Sequence, residues 1–379
     1  KSFRGACDYM VIGVDDKSTD ATEAIARLYA DEVFFFTWEN NFSKARNACI
    51  DKCRTLLGNS TDWIFMSEGH EHLEAGTDEL LALDQVPAGV HVVEVRREDR
   101  DHAWMFPWLF RNRTDIFFEN PVHNVLSWNE DTSQDAQIPA IRTWHSRSHA
   151  NAVARAGQRR TLNRQTLLTK LRDNPSDARS CYYLANEWRR ESPRRAVDYY
   201  KRYLALPGKN GPERYQARLS LAECLVKLVQ EVEDSKKSED DATEARAKSM
   251  TQQAMLQEIY DVLVVATIND WSRNEHWLYL GDLCQRQGNR LEQAMKFYEL
   301  AATSIGREPL TYMWIEKANY GWIPAMKLVT VYAEAGMLSQ ALHWCTRVAE
   351  LLPEWAPMEA RDEVETHKRT IIAKMEDLS

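Results

Sequence analysis

Nowhere in its 379 residues does the chain offer about 18 consecutive uncharged apolar residues, the least a membrane-spanning helix needs, so no segment reads as one. Glycine (14) and proline (12) are scarce, which excludes collagen-like and low-complexity classes. A composition of 44% hydrophobic and 28% charged residues excludes a wholly disordered chain. The opening KSFRGACDYMVIGVDD lacks the basic, apolar and small-residue plan of a secretory signal and reads at once into a strand. Cysteine is sparse and odd in number. Of Cys7, Cys49, Cys53, Cys181, Cys224, Cys284 and Cys345, only Cys49 and Cys53 are close, at i, i+4. With no second close pair or nearby His, a zinc site is incomplete. Free, buried thiols in a reducing cytoplasm are the expectation.

What is present is length, tryptophan and uneven charge. A chain of this length implies two or three domains, and 13 Trp need a large core or stacking surfaces. The net charge is −9. Between Arg142 and Arg202, however, 15 Lys and Arg face 5 Asp and Glu, a local +10 that leaves −19 for the rest. Such a chain is no general nucleic-acid binder, but it can hold one anionic partner at the basic stretch.

Two regimes meet near residue 150. In residues 1–150, apolar runs alternate with helical patterns. Tyr9–Val14, Val33–Thr37 and Asp62–Met66 read as strands. Thr22–Tyr29 and a helix capped at Ser43 and running to about Leu57 read as the connections. Val90–Arg96 and Ala103–Arg111 follow, then a loop-rich stretch to Trp144. The pattern predicts an α/β domain with a mostly parallel, doubly wound sheet, ligands sitting at strand carboxyl ends. Residues 151–379 predict an all-α repeat domain. Small residues, aromatics and a Pro or Gly stop recur from Tyr183 to Pro207, from Trp277 to Ala301 and from Leu328 to Pro353, the pattern of tetratricopeptide hairpins. A divergent unit lies at Tyr215–Val229, a solvated polar run at Glu231–Thr243, and a capping helix at Pro357–Met375.

Five pieces of the first domain carry the polar chemistry: Val14-Asp15-Asp16-Lys17-Ser18-Thr19-Asp20-Ala21-Thr22, Asn41-Phe42-Ser43-Lys44-Ala45-Arg46-Asn47, Trp63-Ile64-Phe65-Met66-Ser67-Glu68-Gly69-His70-Glu71-His72, Leu109-Phe110-Arg111-Asn112 with Asn120-Pro121-Val122-His123-Asn124, and Ile141-Arg142-Thr143-Trp144-His145. Taken singly, each is satisfied by turn and cap chemistry. In this order they resemble the family 2 glycosyltransferases of the GT-A fold, in the branch with helical repeats after the catalytic domain. The family string runs VDTGSTDGT, W–x–x–F–x–x–A–R–N, DADE, R–L–F–R–N, V–H–E and a late His; the likeness covers about residues 1–150.

The resemblance implies a transferase that moves a sugar from a nucleoside-diphosphate sugar to an acceptor hydroxyl, with inversion. By position, Asp15, with Asp16 beside it, would meet the nucleotide, and Asp20 would brace that loop. Arg46, Asn47, Arg111 and His123 would lie along the donor. Glu68 and His70 would occupy the D-x-D positions and His145 would complete a metal site for a divalent cation, manganese or magnesium. Glu119, then Asp101 and Glu71, are the candidates for the base. The departures are Glu-Gly-His for D-x-D and His123-Asn124 for H-E, and the family's first strand would precede Lys1. These departures favour a second reading, a catalytically degenerate transferase serving as a scaffold. The repeats would hold acceptor or partner and suit self-association. Arg155, Arg159, Arg160 and Arg164 would line one helix face as a track for an anionic acceptor such as modified DNA.

Overall fold

The computed structural model describes all residues except 59–62, 130, 132–133, 147–148, 209–210, 237–241 and 378–379. The chain divides into two units, one of residues 1–166 with 310–314 and one of 167–309 with 315–379.

In the first unit, the apolar run after Tyr9 forms β1 (Val11–Asp15). Helix α1 (Thr22–Tyr29) carries the chain to β2 (Glu32–Phe36), which pairs parallel to β1. Helix α2 (Phe42–Leu57) follows. Its cap is Asn41, whose side chain accepts from Lys44 N at 3.0 Å. Ser43, expected at the cap, sits inside the first turn and donates to Asn120 O. The larger sheet takes β3 (Trp63–Phe65), β4 (Glu71–Ala75), β5 (Val90–Glu98), β6 (His102–Arg111) and β9 (Gln134–His145), with the short helix α3 (Thr77–Leu81) after β4. A separate hairpin pairs β7 (Phe117–Glu119) with β8 (Val125–Ser127).

The α/β class followed by helical repeats is what the sequence predicts, but the sheet is mixed instead of mostly parallel. Pairings β3–β6, β5–β6 and β4–β9 are antiparallel, whereas β5–β9 is parallel. The cause is local. No helix separates β5 from β6; Asp99 Oδ1 instead accepts from Asp101 N (2.9 Å) and His102 N (2.8 Å) and closes a tight turn, which forces an antiparallel return. Strand β9 occupies the stretch expected to be loop. Val92, Val93, Val95, Trp108, Leu109, Phe110 and Ile141 form the sealed centre of this core.

Helix α4 (His149–Asp173) leads into the helical repeats: α5 (Ala178–Trp188) with α6 (Pro193–Ala205), α7 (Pro212–Lys236) with α8 (Ala242–Asn269), α9 (Glu275–Arg286) with α10 (Leu291–Ala302), and α11 (Trp322–Glu334) with α12 (Leu338–Leu351). Helix α13 (Met358–Glu376) ends the described chain. The three expected hairpins and the capping helix are present, and the divergent unit is the long α7–α8 pair. Of the expected polar run Glu231–Thr243, helix α7 takes residues as far as Lys236, and 237–241 lie outside the described residues.

Small residues let the paired helices touch. Gly281 on α9 faces Tyr298 of α10 so closely that a Cβ there would stand 2.3 Å from the ring, and the Tyr298 hydroxyl donates to Asp282 at 2.6 Å. Tyr200 on α6 likewise donates to Asn186 on α5 at 2.6 Å. The thiols are free among the described residues, with Cys181, Cys224, Cys284 and Cys345 buried. Burial pushes the Cys49 and Cys224 thiols up to about 11, so both stay protonated and unreactive near neutral pH. Among the described residues no helix is long and apolar enough to cross a membrane.

A polar knot is buried at the start of α9. Arg273 pairs with Glu275 at 2.6 Å, and Tyr215 and Tyr320 donate to the second Glu275 oxygen at 3.1 and 3.0 Å. His276 Nδ1 lies 2.8 Å from the Tyr215 hydroxyl. Burial pulls the His276 imidazole down to about 4, because a charged ring there would lose its hydration.

Two expectations follow. Gly281→Ala drives a methyl into the Tyr298 ring and should cost about 1–3 kcal/mol of stability, read as a lower thermal midpoint. His276 is neutral in the folded state, so its contribution is complete above the unfolded value near 6.5 and is lost as pH falls toward 4. That loss amounts to ~2–3 kcal/mol. Urea unfolding from pH 7 to 4 should show His276→Gln with a shallower pH slope than the parent; equal slopes would refute the assignment.

Candidate functional site

Strand register builds the site. Glu71 on β4 stands opposite His145 on β9, Arg97 on β5 pairs with Thr143 on β9, and Trp104 on β6 pairs with Arg97. Side chains two apart on a strand share a face, so Glu71, Thr143, His145, Arg97, Trp104, Phe106 and Trp108 gather on one side of the sheet. Helix α2 adds Arg46.

The result is a buried charge cluster. Arg46 pairs with Glu68, Arg97 with Glu71, and Arg97 also lies 3.6 Å from Glu68. The Glu71 side chain is fully buried and that of Arg97 is 9% exposed. Both guanidinium groups lie over the sealed Trp108 ring, Arg46 at 5.1 Å and Arg97 at 5.3 Å from its centroid. Phe118 flanks Arg46 at 5.3 Å, and Trp104 flanks Arg97 at 5.4 Å. His145 Nδ1 stands 3.0 Å from both Arg97 Nη2 and His70 Nε2, and the two imidazoles meet edge to face. Burial lowers the Arg46 pKa, opposed by the Glu68 charge. Burial also lowers His70, against the pull of Glu68. Glu71 is held below the usual carboxylate range: burial alone would raise it, but His145, Arg97 and the Glu68 amide together prevail.

The expected metal set does come together: Glu68 Oε2 is 3.3 Å from His70 Nε2, which touches His145. It does not fit a cation. The carboxylate of Glu68 is already engaged by Arg46 and Arg97, and Arg97 stands at the His145 nitrogen that would be a ligand. Among the described residues, no group of three or more His, Cys, Asp or Glu side chains is arranged to hold a metal ion.

Other expected residues lie as follows. Asp15 Oδ1 accepts from Trp38 N at 3.1 Å, Asp16 from the Thr37 hydroxyl and Asp20 from Thr22 N at 3.0 Å; they shape the loop after β1. Asn47 commits its amide to β7, donating to Phe118 O at 2.9 Å and accepting from Phe118 N at 2.7 Å. With Phe42 N donating to Pro121 O at 3.0 Å, this fastens the β7–β8 hairpin to α2. Exposed Glu119 thus closes a strand held beside Arg46, while His123 takes a left-handed backbone at φ 49°. Arg111 stacks on Trp63 at 4.1 Å. Asp101 lies on the exposed β5–β6 turn, paired with Arg100 at 3.1 Å.

Glu71, expected as a base, is instead the sealed partner of Arg97. Nor do the arginines of α4 form one face. At about 100° per residue, Arg159 and Arg164 diverge by about 140°; Arg159 is exposed and reaches over Phe42 at 5.4 Å, whereas Arg160 and Arg164 are half-buried. The Arg155 side chain lies outside the described residues. Arg97 and Trp108 were not singled out from the sequence. Their signal is a Trp-x-Phe-x-Trp alternation on one strand and an arginine at an inward position of an apolar one.

Residues 4–66 match the glycosyl transferase family 2 model. A TPR repeat-containing protein of Synechococcus elongatus is 29% identical over 235 residues, 58% of this chain and 56% of its own length; the chain thus spans about half of that relative. Among solved structures, a thermophilic TPR protein of Thermus thermophilus is 16% identical, with 57% of this chain and 94% of that one covered at a TM-score of 0.37. YrrB, described as a TPR protein with an unusual peptide-binding site, is 14% identical, with 56% and 87% covered at 0.37. The matched segment holds the Asp15 loop and the Arg46 helix and stops two residues before Glu68. A segment that matches the family 2 glycosyl transferase model thus precedes helical hairpins of the tetratricopeptide type.

Proposed function

We propose that the protein transfers a sugar from a nucleoside-diphosphate sugar to an acceptor hydroxyl with inversion. One observation carries the reading: Arg46, Glu68, His70 and His145, remote in sequence, converge, with Arg46 against Phe118 of the hairpin that bears Glu119, and the resemblance would give each of the four a donor or metal role. In the step proposed, the acceptor oxygen bonds to the anomeric carbon as the bond to the diphosphate oxygen breaks. The diphosphate departs with the electron pair, and the acceptor proton passes to Glu119. The Asp15–Asp20 loop would take the nucleoside. Helical hairpins suit an extended acceptor or partner, and Arg159, exposed on α4, would offer an anionic one a cation.

A scaffold built on a degenerate transferase is the second reading, favoured by the buried neutralisation of the carboxylates and by the TPR name of the relative. A thermal-shift scan with UDP- and GDP-sugars separates the two, because a ligand that binds only the folded state raises the midpoint. Replacing Glu119 with Gln should lower turnover about a hundredfold or more while leaving nucleotide affinity unchanged. Turnover retained in that variant would remove Glu119 as the base.

A further inference from the structure

A divalent cation in a transferase of this kind offsets the charge of a departing diphosphate and is itself held by carboxylates. Here that charge balance is already made by side chains. Two guanidinium groups, Arg46 and Arg97, stand against two carboxylates, Glu68 and Glu71. Their sum is what one divalent ion between the same two carboxylates would give. Arg97 sits within 3.6 Å of Glu68 and at 3.0 Å from His145, at the centre of the would-be ligand set. To seat a metal there, a buried guanidinium would have to leave its carboxylate and three aromatic rings. A second cation beside it would meet direct repulsion in a medium that screens poorly.

Two donors of the cluster remain unused. Arg97 Nε and the indole Nε1 of Trp108 are both buried and have no hydrogen-bond partner, an arrangement that a buried polar group ordinarily avoids. Arginine presents five N–H groups in a fixed fork that matches phosphate oxygens. Aromatic faces on Trp104, Phe106 and Trp108 hold the Arg97 fork in place. A guanidinium so fixed meets an anion without losing side-chain freedom at that moment.

We infer that the Arg46–Arg97 pair takes the electrostatic place of the divalent cation, so that this site binds a nucleoside diphosphate without metal. The inference rests on the donor reading above. It assigns to Arg97, a residue outside the matched segment, the neutralisation of the diphosphate. It also accounts for the change from paired carboxylates to Glu68 and His70, since the site no longer has to grip an ion.

Isothermal titration of the full chain with UDP and GDP, each in EDTA and in manganese, tests this directly. Affinity should be the same in both buffers, and manganese alone should give no heat and no thermal shift. Arg97→Met should weaken UDP binding about tenfold or more, the loss of a charge-assisted contact. The same variant should gain a thermal shift with manganese, because Glu71 and His145 then lose Arg97 and Glu68 keeps Arg46 alone. Arg97→Lys, which keeps the charge, should fold where Met fails and should retain metal-independent binding more weakly. UDP or GDP binding that requires manganese would overturn the inference and leave the donor reading intact. Binding in neither buffer would overturn the donor reading, and the inference with it. Manganese bound by the parent and lost in His70→Ala would overturn the inference alone.

Discussion

The ion pair of Arg97 with Glu71 is the interaction on which the first unit turns. Both side chains lie out of water, where separating them would leave a bare charge and cost about 3–5 kcal/mol. The pair joins β4 to β5 across β9, and it fixes where His145, Glu68 and Trp108 stand. A pair of this kind adds little net stability over an apolar replacement. What it supplies is placement: a guanidinium locked over three rings, with its carboxylate unable to drift.

Much of this was legible in the chain itself. Helix α1 spans Thr22–Tyr29 as its pattern predicts, and the parallel β1–β2 pair follows from the helix between them. The hairpin repeats were equally plain, because Ala196 and Tyr200, or Ala294 and Tyr298, mark touching helices by size alone. The mixed sheet was not legible. Strand β9 carries Pro139 and runs QDAQIPAIRTWH without alternation, and β4 reads EHLEA, so neither shows a two-residue period. Strand β4 buries Glu71, which apolar counting assigns to solvent. Only its partner Arg97 makes that burial tolerable, and pairing between residues 26 positions apart leaves no local trace.

The polar knot of the helical unit follows the same logic with another outcome. Arg273 and Glu275 are neighbours on one helix start, and Tyr215 and Tyr320 bring hydroxyls to the same carboxylate from other elements. The network ties α7, α9 and the turn before α11 together. In the first unit, by contrast, Glu68 and His70 remain partly exposed above a buried layer of charge. One cluster is a fastener, and the other presents its outer edge to solution.

Asn47 carries a consequence of its own. With a donor and an acceptor on the same Phe118 backbone, its side chain imitates a neighbouring strand, and β7 is paired on both edges although its sheet has two members. A hairpin of two three-residue strands has little independent persistence in water. The first turns of α2 and the hairpin must therefore open and close as one cooperative unit, so amide exchange at Phe118 and at the Arg46 turn would share a single rate, set by one amide side chain of the helix.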